Sequence, residues 1–70
     1  MEIKLQLVSD VYDFIAIAQK HPSKISLLQS NYTVDGKSVM GIFALDLRMP
    51  IRCEVEDGNY GDFERFVNKL

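Results

Sequence analysis

The chain has 70 residues, 47% of them hydrophobic, which suffices for one small domain with its own core. Eight lysines and arginines against ten aspartates and glutamates give a net charge of −2, without the basic stripe that binds nucleic acid. A single cysteine excludes an intrachain disulfide, no apolar run approaches the roughly 18 residues of a membrane span, and no secretory signal opens the chain, so we expect a cytoplasmic protein.

The N-terminal part of the chain predicts a strand followed by an amphipathic helix. Ile3, Leu5 and Leu7 alternate with polar residues, which is the pattern of a half-buried strand. Ser9-Asp10 is the predicted N-cap of the first helix, and Pro22 lies beyond its C-terminal end. Apolar residues recur along this helix at i, i+3, i+4 and i+7 and are expected to face the core: Val11, Phe14, Ile15 and Ala18.

A hairpin is predicted next. Ile25 and Leu27 mark a second strand, Ser30-Asn31 a tight turn, and Tyr32 and Val34 a third strand. The connection is too short for a crossover, so the two strands should pair antiparallel.

The second helix is predicted from Ser38 to about Leu47, after the polar turn Asp35-Gly36-Lys37. Ser38 is its predicted N-cap, because a serine hydroxyl can accept a hydrogen bond from a free amide of the first turn. The helix is apolar nearly all round, so it either packs on two sides or leaves an apolar patch exposed. At least one of Met40 and Phe43 is therefore expected at the surface, where a flexible methionine suits a protein partner.

The last third predicts a strand, a turn and a helix. Ile51, Cys53 and Val55 alternate with charged residues, and Asp57-Gly58-Asn59 is a turn. The final helix carries a stripe of four apolar residues: Phe63, Phe66, Val67 and Leu70. The resulting order, β-α-β-β-α-β-α, predicts an α/β (α+β) fold, an open-faced two-layer sandwich with three helices on one face of a four-stranded antiparallel sheet.

The reactive side chains form no catalytic or metal-binding pattern. His21, the only histidine, is expected to be a solvated cation at the end of the first helix, and Cys53 an inert core residue. Asp35, Asp57 and Asp62 lie in predicted turns or helix starts, where aspartate bonds the backbone. We find no carboxylate pair, metal-ligand cluster, phosphate-binding glycine loop or nucleophile–base arrangement, and therefore expect no enzyme, no cofactor and no metal.

The segment Lys37-Ser38-Val39-Met40-Gly41-Ile42, together with the element order, resembles HPr, the phosphocarrier family of the bacterial sugar phosphotransferase system. Members from Gram-positive bacteria carry Lys-Ser-Ile-Met-Gly-Val at the start of the second helix, and Leu45 continues the match. The resemblance implies one HPr-like domain over residues 1–70. The serine of that segment is the family's regulatory phosphorylation site, so the resemblance implies that role for Ser38.

One departure from the family is as informative as the match. In HPr the first strand is followed by a histidine, one further residue and Arg-Pro, and that histidine carries the phosphoryl group. The corresponding stretch here, residues 7–12, has no histidine, arginine or proline, and Asp10 would repel a phosphoryl group. The chain is thus similar to a degenerate member, in the manner of the homologue Crh, which lacks the active histidine and keeps the serine.

We therefore expect a non-catalytic regulatory protein that acts by protein–protein contact through the helix opened by Ser38. Lys37, Val39, Met40 and Phe43 are the candidate partner-binding residues, and phosphorylation of Ser38 is the candidate switch. The implied partners are a serine kinase of the HPr type and a transcriptional or metabolic regulator, without direct contact to nucleic acid or membrane. Two alternatives remain open: a phosphocarrier with an unrecognised acceptor, and an adaptor in which Ser38 is only a helix cap.

Overall fold

A computed structural model describes all 70 residues of the chain. Four strands form one sheet in the order β1-β4-β2-β3, with every neighbouring pair antiparallel. The predicted element order, antiparallel sheet and three helices are confirmed. The elements are β1 (Glu2–Ile3), α1 (Val8–Lys20), β2 (Ile25–Gln29), β3 (Tyr32–Asp35), α2 (Val39–Phe43), β4 (Ile51–Val55) and α3 (Gly61–Lys69).

The helices cover one face of the sheet and leave the other face to solvent. Along β4 the side chains alternate between buried and exposed, as a two-layer fold requires. Ile25 lies opposite Val55 and Leu27 opposite Cys53, and all four side chains are buried beneath the helices. The β2–β3 hairpin closes on the pair Gln29 and Tyr32, with Ser30 in the left-handed region at a φ of 52°.

The core is built mainly from α1 and α3 on the sheet. The ring of Phe14 lies 5.4 Å from that of Phe63 and 6.1 Å from that of Phe66, measured between centroids. The four predicted core positions of α1 are all buried, whereas Leu70 of the α3 stripe is exposed at the end of its helix. None of the three helices is both long and apolar enough to cross a membrane.

The first strand is shorter than its sequence pattern indicates. It pairs only through Glu2 with Arg52 and Ile3 with Ile51, so the next position along would face Pro50. Proline has no amide hydrogen and cannot continue the ladder. Leu5 is still buried beyond the strand, but Leu7 is exposed, contrary to the predicted alternation.

The first helix begins earlier than predicted. Leu7 is its N-cap, and Ser9-Asp10 lies inside the first turn rather than before it. The Leu7 amide donates to Asp10 Oδ2 at 3.0 Å, so the aspartate satisfies a free amide from within the helix. The prediction of Ser9-Asp10 as the N-cap was therefore wrong, because the N-cap is Leu7, three residues before Asp10.

The second helix is five residues long and ends well before Leu47. The side chain of Gln29 explains this end: its amide nitrogen donates to Asp46 O at 2.7 Å, and its oxygen accepts from Asp46 N at 2.8 Å. Because these bonds hold the backbone of Asp46, that residue cannot continue the helical ladder. Leu45 instead turns into the core.

Candidate protein-binding surface

Ser38 is the N-cap of α2, as predicted. Its backbone is extended, with φ −105° and ψ 119°, and its Oγ accepts a hydrogen bond from Gly41 N at 3.1 Å. Its carbonyl oxygen accepts from Ile42 N at 3.1 Å, which closes the first helical turn. The residue is partly buried rather than fully buried.

A close approach of α2 to β3 determines which of its side chains face outward. A Cβ added to Gly41 would lie 3.3 Å from Val34 Cβ, so the glycine lets the helix backbone settle against the edge strand. Ile42 is fully buried on this inner side. Met40 and Phe43 point outward, with 85% and 40% of their surface exposed, so the expected apolar exposure of this helix is present.

Met40 and Phe43 are joined by exposed side chains from α1. The rings of Tyr12 and Phe43 meet edge to face, with their centroids 6.2 Å apart and an interplanar angle of 61°. Val8 lies one turn before Tyr12 on the same helix and is also exposed. We call the four residues Val8, Tyr12, Met40 and Phe43 the α1–α2 surface. The sequence did not indicate the α1 half, because Val8 and Tyr12 lie outside the core stripe of that helix.

The α1–α2 surface carries little charge. No charged residue lies between Lys37 and Asp46, although 26% of the chain is charged. The acidic side chains of Asp10 and Asp13 line a groove on the other flank of α1, toward Arg65 of α3. Large apolar side chains exposed together in this way are typical of a protein-binding site.

Lys37 and Val39, two of the predicted partner-binding residues, hold the helix in place. Lys37 Nζ donates to the main-chain oxygen of His21 at 2.8 Å, and the amide of Gln19 donates to Lys37 O at 3.5 Å. Val39 is partly buried against the core. Both side chains therefore take part in the packing of α2 as well as lying beside Ser38 in the sequence.

The prediction for His21 was wrong, because the residue is buried rather than solvated. Its Nδ1 accepts from Ser23 N at 3.1 Å, and since a backbone amide can only donate, the proton of the neutral ring lies on Nε2. Nε2 then donates to Asn59 O at 3.2 Å, while the ring packs 5.7 Å from that of Phe63. The chain reverses at Pro22 and brings the histidine beneath the start of α3. No local sequence pattern predicts this long-range contact.

The fold also brings a serine and an aspartate to His21, an arrangement that the sequence did not indicate. Ser23 Oγ lies 3.2 Å from His21 Nδ1, and Asp57 Oδ1 lies 3.7 Å from Nε2. Both ring nitrogens are already engaged with main-chain groups, and none of the three residues lines a groove. A nucleophile needs a free base and room for a substrate. The cluster joins α1 to the turn before α3.

Other predicted positions behave as structural residues. Cys53 is fully buried, and burial raises the pKa of its thiol to about 11. Asp35 Oδ1 accepts from Lys37 N and Asp57 Oδ1 from Asn59 N, both at 2.9 Å, as expected for turn aspartates. Asp62 lies in the first turn of α3 and pairs with the guanidinium three residues later.

Residues 7–12 form the N-cap and the start of α1. Residues 7–12 contain no imidazole, and the carboxylate of Asp10 already accepts the free amide of Leu7. An anion that approaches the N-terminus of α1 would meet the negative charge of Asp10 instead of a free hydrogen-bond donor.

Comparison of this chain with protein-family models, with curated proteins and with solved structures gives no match.

Proposed function

We propose that this protein is a non-catalytic regulatory domain that binds partner proteins through the α1–α2 surface and is switched by phosphorylation of Ser38. The observation that carries the proposal is the exposure of Met40, at 85%, two residues from Ser38, which is only partly buried. Water would be released from this apolar side chain when a partner covers it, which favours binding.

The classes of partner that we propose are inferred from the resemblance to HPr. The segment that resembles the family's regulatory site begins at Lys37 and forms the exposed start of α2. By that likeness the partners are a serine kinase of the HPr type and a transcriptional or metabolic regulator in the cytoplasm of a bacterium. Direct nucleic-acid binding is not part of the proposal, because the chain has a net charge of −2.

A phosphate on Ser38 would change binding through charge rather than through a new fold. It would add about −1.5 to −2 charges beside a surface that has almost none. A partner that presents arginine or lysine would bind more tightly, because charge-assisted hydrogen bonds to phosphate are strong. A partner with an apolar or acidic face would bind less tightly.

The alternative of a phosphocarrier is disfavoured by the position of His21. Carrier chemistry needs an imidazole nitrogen that is open to the phosphoryl donor. Both ring nitrogens of this buried histidine are engaged within the chain. The adaptor alternative, in which Ser38 is only a cap, is decided by experiment.

The test is incubation with an HPr-type serine kinase and ATP, followed by intact mass. We expect one phosphate on the wild-type chain and none on Ser38→Ala. A parallel incubation with phosphoenolpyruvate and the enzyme that phosphorylates HPr on histidine should add nothing. An acid-labile phosphate on His21 would establish the carrier alternative, and an unphosphorylated chain in both reactions would leave the adaptor.

A further inference from the structure

The four sulfur-containing residues of the chain differ widely in their exposure to solvent. Met40 is 85% exposed and Met49 is 55% exposed. Met1 is partly buried against the core, and Cys53 is fully buried in β4. The most exposed sulfur-containing residue is therefore Met40, which belongs to the α1–α2 surface.

Cys53 is protected from oxidation for two reasons. Oxidants attack the thiolate, and burial raises the pKa of the Cys53 thiol to about 11, so the thiol is protonated at neutral pH. Its side chain is also closed to solvent. A thioether needs no deprotonation and reacts wherever the oxidant can reach it.

We infer that Met40 is an oxidation-sensitive modification site, and that its conversion to the sulfoxide by hydrogen peroxide weakens binding at the α1–α2 surface; the second part rests on the proposed function. The sulfur lone pair attacks one peroxide oxygen, the O–O bond breaks, and the other oxygen leaves as water after proton transfer. Sulfur loses two electrons, which reduce the peroxide. The product carries a strong dipole where the surface had an apolar side chain.

The modification acts on the surface and not on the fold. Met40 has little contact with the core, whereas its neighbours Ile42 and Leu45 are buried. Oxidation should therefore leave the unfolding midpoint unchanged. Methionine sulfoxide reductases reverse the reaction, so the change would be a reversible switch.

Peptide mapping after timed exposure of the native protein to hydrogen peroxide tests the site. Cleavage after lysine and arginine puts the four sulfurs on separate peptides, with Met40 in residues 38–48 and Met49 in residues 49–52. We expect Met40 to oxidise faster than Met49, with Cys53 unmodified. Equal rates for the two methionines, or earlier oxidation of Cys53, would overturn the assignment.

The effect on binding is measured as the rate at which an HPr-type serine kinase phosphorylates Ser38. We expect a several-fold lower rate for the oxidised than for the untreated wild type. Met40→Leu, which has no sulfur at this position, should show the same rate before and after peroxide treatment. Equal phosphorylation rates for oxidised and reduced wild type would overturn the inference about Met40 and leave the proposed function intact. Absence of phosphorylation in the untreated protein would overturn the proposed function, and the regulatory part of the inference with it.

Discussion

The ammonium group of Lys37 donates a hydrogen bond to the main-chain oxygen of His21 at 2.8 Å. This bond joins the residue before the N-cap of α2 to the C-cap of α1. A positive charge at a helix C-terminus is favourable, because the last carbonyls have no partner within the helix. The same residue therefore fixes the position of Ser38 and completes the end of α1.

Replacing Lys37 with methionine keeps the side-chain stem and removes the ammonium. We expect a loss of about 1 kcal/mol in the free energy of unfolding, since a charge-assisted bond to a helix end disappears. Urea denaturation measures the change. Lys24→Met is the matched control, because the Lys24 ammonium makes no hydrogen bond or ion pair within the chain, and a loss of equal size there would refute the account.

His21 should be among the most sensitive positions for stability. His21→Ala removes a buried ring and leaves the Ser23 amide without its acceptor, so we expect a loss of about 2–4 kcal/mol. For a domain whose total stability is on the order of 5 kcal/mol, this change approaches unfolding.

A second variant, His21→Asn, separates the effect of the hydrogen bond from that of the buried ring. In His21→Asn the side-chain oxygen can take the place of Nδ1 and accept from Ser23 N, so this variant should lose clearly less stability than alanine. Thermal unfolding followed by circular dichroism distinguishes the two. Equal losses would show that packing alone, and not the hydrogen bond, determines the effect.

Substitutions of Ser38 separate its capping role from its charge. Ser38→Ala should cost about 0.5–2 kcal/mol, because Gly41 N loses its acceptor. Ser38→Asp should keep most of the stability, since aspartate is also a good N-cap and its charge favours the helix N-terminus. Chemical denaturation of the three proteins checks this order, and an alanine variant as stable as the wild type would argue against the cap.

The thiol of Cys53 should make the stability of the folded chain fall at high pH. Its pKa is raised from 9.0 to about 11 in the folded chain, mainly by burial. Between those values the unfolded chain has lost the proton and the folded chain keeps it, so the stability is complete below about pH 9 and falls as the pH rises toward 11. At about 1.4 kcal/mol per pH unit, the loss is on the order of 3 kcal/mol.

Comparison with Cys53→Ala isolates this effect from the lysines and tyrosines that titrate in the same range. We expect the difference in stability between wild type and variant to shrink from pH 8 to pH 11. A difference that stays constant over that interval would contradict the raised pKa.

The sequence predicted the elements whose signal is local. The stripe containing Phe14 is buried as its spacing indicates, and Ser38 caps α2 as its position before an apolar run indicates. Both depend on the period of the helix and on the hydrogen-bonding capacity of one side chain. Neither requires knowledge of a distant residue.

The wrong predictions concern positions whose structure depends on a residue that is distant in the sequence. β1 stops after Ile3 because its register brings Pro50 opposite, and α2 stops early because the side chain of Gln29 holds Asp46. His21 is buried because the turn before α3 folds over it. The sequence did not predict the α1 half of the α1–α2 surface for the same reason, since the contact between Tyr12 and Phe43 exists only once the two helices meet.

We propose that a protein partner acts on Ser38 by contacting the α1–α2 surface. The rate of Ser38 phosphorylation by an HPr-type serine kinase tests it most directly when wild type is compared with Met40→Asp and Met49→Asp. Both methionines are exposed, but only Met40 belongs to the surface. We expect Met40→Asp to lower the rate at least several-fold and Met49→Asp to leave it unchanged. A wild-type chain that takes up no phosphate, or equal rates for the two variants, would contradict the account.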